Sequence, residues 1–261
     1  MSTATKSPAR LTDEQLGEVL ELVKGADTVE LKLTVPESSQ RSTVAALEID
    51  PLDAQIRQVF FFETPELALN KAGVVVRARR VQGKGNDSVV KLRPVVPADL
   101  PEELRKSPNL GVEVDALPGG FVCSASFKAK LPPTAVRDTI LGGKPLRKLF
   151  SKEQREFFDA NAPDGIELDE LLVMGPIFVL KLKWSPLEFG RPLVAELWLY
   201  PDGSRILELS TKCTTTEPMQ VAAEARAFLA KKCVDLSGEQ QTKTKTALEF
   251  FANELSAGQS G

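Results

Sequence analysis

The sequence predicts an α+β fold, a closed antiparallel β-barrel with a charged interior and helices packed on its outside. Segments in both halves of the chain alternate apolar and charged residues with a period of two. The charges that share a face are in several strands of one sign. Apolar residues at helical spacing bracket the set at both ends of the chain.

The run from Phe61 to Arg79 is the most informative. It reads as a strand ending in a turn, a short helix and a second strand. Thr64 fits the helix cap, Pro65 the first helical position and Gly73 the position just past the helix end. In the second strand Val75, Arg77 and Arg79 share one face, and Val74, Val76 and Ala78 the other. Two guanidinium groups roughly 7 Å apart on one face repel each other and require an anion between them.

The arrangement recurs. Lys91 and Arg93 share a face in Val89–Arg93, and Lys181 and Lys183 do so in Phe178–Trp184. Glu30 and Lys32 align in Thr28–Val35, and Glu208, Ser210 and Lys212 in Ile206–Lys212. For any one strand, a polar face meeting bulk water is the ordinary explanation. Like charges at two-residue spacing in several strands weigh against it, because a solvated face avoids such neighbours. A barrel alternates interior and exterior residues along every strand and so repeats one signature. The basic residues assigned to the lumen are Lys32, Arg77, Arg79, Lys91, Arg93, Lys181, Lys183 and Lys212. The acidic ones are Glu30, Glu63, Glu113, Asp115, Glu196 and Glu208. Such a lumen suits a polyanion that arrives with a divalent cation, since Lys and Arg meet phosphate oxygens and carboxylates hold the metal.

The remaining segments fit around that barrel. Thr12 and Gln15 make a capping-box pattern before Leu16, Val19, Leu20 and Val23, a helix expected on the barrel exterior. Gly83–Asp87 reads as a hairpin loop, and Pro94–Pro108 as a loop with a short helix. Residues 146–155 read as one helical segment with Lys148, Lys152 and Arg155 stacked on a face. Helices are expected near 217–232 and 240–255, the last using Leu248, Phe250, Phe251 and Leu255. Trp184 falls on an outward face. Trp198 has the inward parity of Glu196, where it either packs or stacks on a ring at the tunnel mouth. Residues 1–10 read as a disordered N-terminus, 11–255 as a single tunnel domain with C-terminal helices from about 217, and 256–261 as a flexible tail.

Composition excludes several function classes. The 261 residues include no histidine, which removes histidine general bases, Ser-His-Asp triads and histidine-ligated zinc. A net charge of −3 argues against general nucleic-acid binding, so the basic residues must be concentrated inside. Three cysteines without metal-binding spacing fit a reducing compartment. No apolar run approaches a membrane span and no signal-peptide core is present, so a cytoplasmic protein without a membrane partner is expected.

Thr28–Lys32 resembles a variant of the Glu-x-Glu-x-Lys strand that opens the CYTH, or triphosphate tunnel metalloenzyme, superfamily. Phe61–Arg79 is similar to that family's tyrosine-phenylalanine-aspartate-threonine-proline segment with its arginine pair. Lys91–Arg93, Glu113–Asp115, Lys181–Lys183, Glu196 and Glu208–Lys212 match later strands in order, so the resemblance covers about residues 28–213. It implies an eight-stranded antiparallel tunnel that binds triphosphates with Mg²⁺ or Mn²⁺. It further implies hydrolysis of inorganic triphosphate, thiamine triphosphate or a nucleoside triphosphate, or less commonly adenylate cyclisation. Lys32, Arg77, Arg79, Lys91, Arg93, Lys181, Lys183 and Lys212 would grip phosphate. Arg155 matches a family basic residue that closes on the phosphate chain. Glu30, Glu196 and Glu208 would hold the metal and carry catalysis. The chain departs from the pattern at Thr28 and Ser210, where the family has glutamates. The basic set is intact and the acidic set thinned, which leaves a catalytically weak or inactive tunnel binding polyphosphate, a nucleotide or a phosphorylated partner as the alternative. The sequence specifies neither the preferred triphosphate nor the oligomeric state.

Overall fold

The computed structural model describes residues 12–118, 120–237, 240 and 242–258. Its strands are β1 (Thr28–Val35), β2 (Gln55–Glu63), β3 (Val74–Val81), β4 (Asn86–Leu92), β5 (Leu110–Leu117), β6 (Gly120–Leu131), β7 (Leu172–Trp184), β8 (Leu193–Leu199) and β9 (Arg205–Cys213). They close into a barrel in the order β1-β5-β6-β4-β3-β2-β7-β8-β9. Neighbours are antiparallel throughout except β1 and β5, where Thr28 pairs with Glu113 and Glu30 with Asp115 in parallel register.

The barrel therefore has nine strands in a mixed sheet, not eight in an antiparallel one. The strand that the sequence reading lacks is β6, whose inward face carries the small residues Ser124 and Ser126 ahead of Lys128. An odd ring cannot alternate direction all the way round, so one neighbouring pair must run parallel. That pair is β1–β5, with β9 antiparallel on the other side of β1.

The helices are α1 (Asp13–Lys24), α2 (Gln40–Ala46), α3 (Ala68–Lys71), α4 (Glu102–Arg105), α5 (Ala135–Ile140), α6 (Lys152–Asp159), α7 (Pro218–Lys231) and α8 (Lys243–Gly258). Most cover the outside of the barrel as expected. The outward residues Val74, Val76, Val90, Val112, Val114, Ala125 and Phe127 share one apolar cluster with Phe157 and Phe158 of α6. A second cluster sets Leu33, Leu193, Leu207 and Leu209 against Phe228 and Leu229 of α7, with Trp184 at its border.

α8 departs from that arrangement. Its Ala247 and Leu248 are buried with Val59, Phe61, Met174, Ile177, Val179, Trp198 and Ile206, and Phe251 and Leu255 pack alongside. These strand residues have inward parity, because Val59 pairs with Arg79 and Ile177, and Val179 with Trp198. Part of the lumen wall is thus apolar, and α8 buries its own apolar stripe against it from within.

Two local expectations are revised. The helix after β2 begins at Ala68, not Pro65; Leu67 takes a left-handed φ of 58° and Thr64 Oγ1 accepts from the Ala68 amide at 3.0 Å. Gly73 does end that helix, with φ 75°. Residues 146–155 are not one helix: a single turn over Leu146–Leu149 gives way to extended Phe150, and Ser151 starts α6 with a capping box to Gln154. Lys148 therefore does not stack with Lys152 and Arg155. The first ten residues lie outside the described residues, as do residues 259–261 of the proposed tail.

Candidate functional site: a charged lumen with two unlike walls

One wall combines carboxylates with lysines and is formed by β1, β5, β8 and β9. Lys32 bridges Asp115 at 2.7 Å and Glu30 at 3.3 Å, and Arg93 reaches the other oxygen of Asp115 at 2.9 Å. Glu30 accepts from Ser210 Oγ at 3.0 Å, Lys212 pairs with Glu113, and Thr28 donates weakly to Glu113 at 3.4 Å. Burial alone would raise the Glu30 carboxyl, but Lys32, Lys212, Ser210 and Lys243 outweigh it and hold it at about 2. Burial likewise opposes ionisation of Asp115, yet Lys32, Lys91 and Arg93 bring it below the usual carboxylate range.

Glu196 and Glu208 lie directly opposite each other on β8 and β9. Like charges in that relation repel. A single ammonium joins them, since Lys243 Nζ lies 2.7 Å from Glu196 Oε2 and 2.7 Å from Glu208 Oε1. Lys181 holds the other oxygen of Glu196 at 2.7 Å, and the Trp198 indole donates to Glu196 at 3.3 Å. Lys243 also sits 5.1 Å from the Trp198 ring centroid. Trp198 is thus packed inside its own chain rather than presented at a mouth.

The opposite wall, on β3, β4 and β6, is mainly basic, with Asp87 as its carboxylate. Arg77 aligns with Val89 and, one strand further, Val89 aligns with Lys128; Lys91 lies two residues along β4 from Val89. At the usual strand spacing Arg77 and Lys128 are about 10 Å apart with Lys91 between and beside them. Arg79 is satisfied by Asp87 through two bonds of 2.8 Å. Arg77 is not: its Nε is buried without a hydrogen-bond partner. Lys91 and Lys128 make no ion pair through their ammonium groups among the described residues. Burial, followed by Arg79, lowers the Arg77 guanidinium to about 10. Burial lowers Lys91 to about 7, and Asp115 only partly offsets it.

The structure places Lys32, Arg77, Arg79, Lys91, Arg93, Lys181 and Lys212 on inward-facing positions with Glu30, Glu196 and Glu208. Lys183 has the same parity and is exposed at the end of β7. Arg155 is not brought to them. Gln154 ties α6 to the outer barrel face through Ser88 and the Phe127 carbonyl, and Arg155 donates to the Phe150 carbonyl at 2.8 Å. Among the carboxylates, Glu30 groups with Glu113 and Asp115 within 4.8 Å, while Glu196 and Glu208 form a separate pair. Glu63 is absorbed locally, accepting from the amides of Thr64, Leu69 and Asn70 at 2.8–2.9 Å.

Sequence reasoning missed Lys128, Lys243 and Arg57, the last on β2 opposite Val179 and donating to Gln55 Oε1 at 2.9 Å. Lys243 did leave a signal. A lysine in the first turn of a helix opposes the macrodipole, so its position implies anionic partners elsewhere. As a cation site, the Glu196–Glu208 pair fits its donor chemistry. It offers hard carboxylate oxygens, and the Lys243 ammonium already stands between them as a cation.

No protein-family profile matches the chain, and no curated protein sequence does. Solved structures do. HpAC1 from Hippeastrum, described as a proposed adenylyl cyclase with a dominant triphosphatase activity, is 20% identical. The match covers 81% of this chain and 91% of that one, with a TM-score of 0.58. A proposed adenylate cyclase from Bacillus halodurans is 13% identical over 84% of this chain and 97% of its own, with a TM-score of 0.57. Among the described residues, no helix is long and apolar enough to cross a membrane. The closed barrel, its charged interior and these likenesses agree, and the chain has the CYTH, or triphosphate-tunnel, fold.

Proposed function

We propose that the chain binds a triphosphate-bearing small molecule inside the barrel and hydrolyses it with the help of Mg²⁺ or Mn²⁺. The observation that carries this reading is the under-compensated basic wall: Arg77 has a buried Nε without a hydrogen-bond partner, and Lys91 makes no ion pair among the described residues. Burying cations this way is costly, and a polyanion relieves the cost. Arg77, Lys91 and Lys128 would meet phosphate oxygens first. Arg79, Arg93, Lys32, Lys181, Lys183 and Lys212 would exchange their present carboxylate partners in part for phosphate.

Glu196 and Glu208 would hold a divalent cation, and Glu30 with Glu113 and Asp115 would offer a separate set of carboxylate oxygens for one. When bound, the metal polarises the terminal phosphoryl group and lowers the pKa of a coordinated water. The residues of the chain fix the phosphates, exclude bulk water through α8 and place positive charge where the leaving oxygen develops negative charge. With no histidine, no imidazole takes part in proton transfer. The dominant triphosphatase activity ascribed to HpAC1 supports hydrolysis over cyclisation, and the cyclase names of both neighbours keep cyclisation as a lesser reading.

A tunnel that binds polyphosphate, a nucleotide or a phosphorylated partner without turnover is the second reading. It is favoured by Thr28, by Ser210 and by the lysine that already occupies the Glu196–Glu208 pair. Phosphate release from inorganic triphosphate, thiamine triphosphate and ATP, with Mg²⁺, Mn²⁺ or EDTA, decides between them. Metal-dependent turnover is expected on at least one substrate. Binding without turnover would leave the second reading, and no binding would overturn both.

A further inference from the structure

The lumen contains a cation supplied by the chain itself. Lys243 lies in the first turn of α8, and its ammonium contacts one oxygen of Glu196 and one of Glu208 at 2.7 Å each. The position is built rather than incidental. Tyr200 donates its hydroxyl to the Lys243 carbonyl at 3.1 Å, and the Trp198 ring covers the ammonium. About one turn of α8 beyond Lys243, Ala247 and Leu248 are sealed against the inner wall. Helix geometry disfavours an ammonium at this end of the helix, so the carboxylate pair determines its location.

We propose that Lys243 is an internal competitor of the divalent cation: it neutralises the Glu196–Glu208 pair at rest, and metal binds that pair only by displacing it. This rests on reading the two glutamates as metal ligands. The displacement is small in scale. Mg²⁺ sits about 2.0–2.1 Å from its oxygens, so on these two oxygens it would face the ammonium at close range, and the two cations repel. A lysine has a flexible four-carbon stem, so its head can swing away while the apolar part of α8 stays seated. Displaced, the ammonium remains at the edge of the phosphate site. Metal and triphosphate then bind with positive coupling, since triphosphate offers Lys243 a new anionic partner and frees the carboxylates.

The consequence is a site with weak affinity for metal alone and stronger affinity once triphosphate is present. Isothermal titration of Mn²⁺ into the full chain, without phosphate, tests this. Lys243→Met is expected to bind Mn²⁺ at least tenfold more tightly than the unaltered chain. Lys245→Met removes an equal charge from the exposed side of α8, where Lys245 pairs with Glu249 at 3.7 Å, and is expected to change little. Unchanged or weaker Mn²⁺ binding by Lys243→Met would overturn the proposal, as would an equal gain in both variants.

A second measurement holds even where Lys243→Met does not fold. Acetylation of the unaltered chain by acetic anhydride, read at Lys243 by mass spectrometry, should be slow in EDTA and several-fold faster in saturating Mg²⁺. Equal labelling in the two conditions would overturn the proposal. Triphosphate binding in EDTA reports separately on the basic wall. Its absence would remove the proposed function and leave the Mn²⁺ result standing, whereas normal triphosphate binding without the Mn²⁺ gain would remove only the competitor.

Discussion

Ser210 donates its hydroxyl to Glu30 at 3.0 Å, so a neutral group lies beside the carboxylate on the inward rows shared by β1 and β9. A glutamate in its place would put a second negative charge near Glu30 and demand a cation between them. Ser210→Glu, combined with Thr28→Glu, should tighten Mg²⁺ binding about tenfold by calorimetry. The same variant should raise metal-dependent phosphate release and lower thermal stability in EDTA. Unchanged metal affinity would show that this edge of the acidic wall does not take part.

Arg77 and Arg79 are neighbours on one face with different partners, and this separates their substitutions. Arg79 is held by Asp87 through two bonds, so Arg79→Ala orphans a carboxylate and should destabilise the protein by about 1–3 kcal/mol. Arg77 has a buried Nε without a partner, so Arg77→Ala should leave the melting temperature unchanged or raised. Triphosphate affinity should nevertheless fall about ten- to a hundredfold in Arg77→Ala. Thermal melts and titration of both variants read the two effects apart.

Lys91 makes the basic wall sensitive to pH. Its folded-state value of about 7 lies below the ordinary 10.5, so between those limits the unfolded chain carries a proton that the folded chain lacks. The Lys91 contribution to stability therefore rises with pH across that window. A bound triphosphate favours the charged ammonium and restores the proton. Calorimetry at pH 8 in buffers of different ionisation enthalpy should show proton uptake on triphosphate binding. Lys91→Met should lose most of it.

The acidic wall sets the opposite limit. Glu30 is held at about 2, against an ordinary 4.5, and Asp115 and Glu196 are lowered as well. Groups with depressed folded values stabilise the protein above their unfolded values and lose that contribution as pH falls through the folded ones. Melting temperature should be nearly flat from pH 7 to 5 and fall steeply below about 4.5 towards 2.

Gly73 links local backbone to the lumen. Its φ is 75°, and a Cβ there would lie 2.6 Å from the Arg93 carbonyl. The Arg93 amide in turn donates to the Gly73 carbonyl at 2.8 Å, just before the side chain that pairs with Asp115. Gly73→Ala should cost roughly 1–3 kcal/mol, from left-handed strain and backbone displacement. It should also weaken triphosphate binding by misplacing Arg93, as a chemical melt and a titration would show.

The strands with charged inward faces were legible because charge at two-residue spacing is hard to explain otherwise. β6 carried the same signal in its second half, Lys128 and Lys130 alternating with Phe127 and Ala129, but its first half, with Ser124 and Ser126 against Cys123 and Ala125, has little polarity contrast, and the sequence reading did not use it. The apolar side of α8 was legible as a buried stripe. Amphipathicity does not specify which side of a barrel wall a helix packs against, and the apolar inward residues Val59, Ile177 and Val179 decide it here. Arg155 was assigned through the family resemblance, by its place after Leu149, Phe150 and Ser151, in a segment read as one helix. The extended Phe150 and the Ser151 cap interrupt it, and Gln154 fixes the turn to the outside. The separation of Glu30 from the Glu196–Glu208 pair depends on strand register, which one-dimensional parity does not contain.

The parallel β1–β5 pair has a consequence for biosynthesis. Glu30 and its β9 partner Ser210 are 180 positions apart, so at roughly 5–20 residues per second the first strand emerges about 10–40 s before the last one that completes the ring. During that interval β1 has one partner available, β5, whose Glu113 lies 85 positions from Thr28. An unpaired edge is a template for association between chains, and pairing early with β5 leaves a single exposed side rather than two. The ring then closes by a late, long-range pairing, and until β9 arrives the open side of β1 is exposed to association.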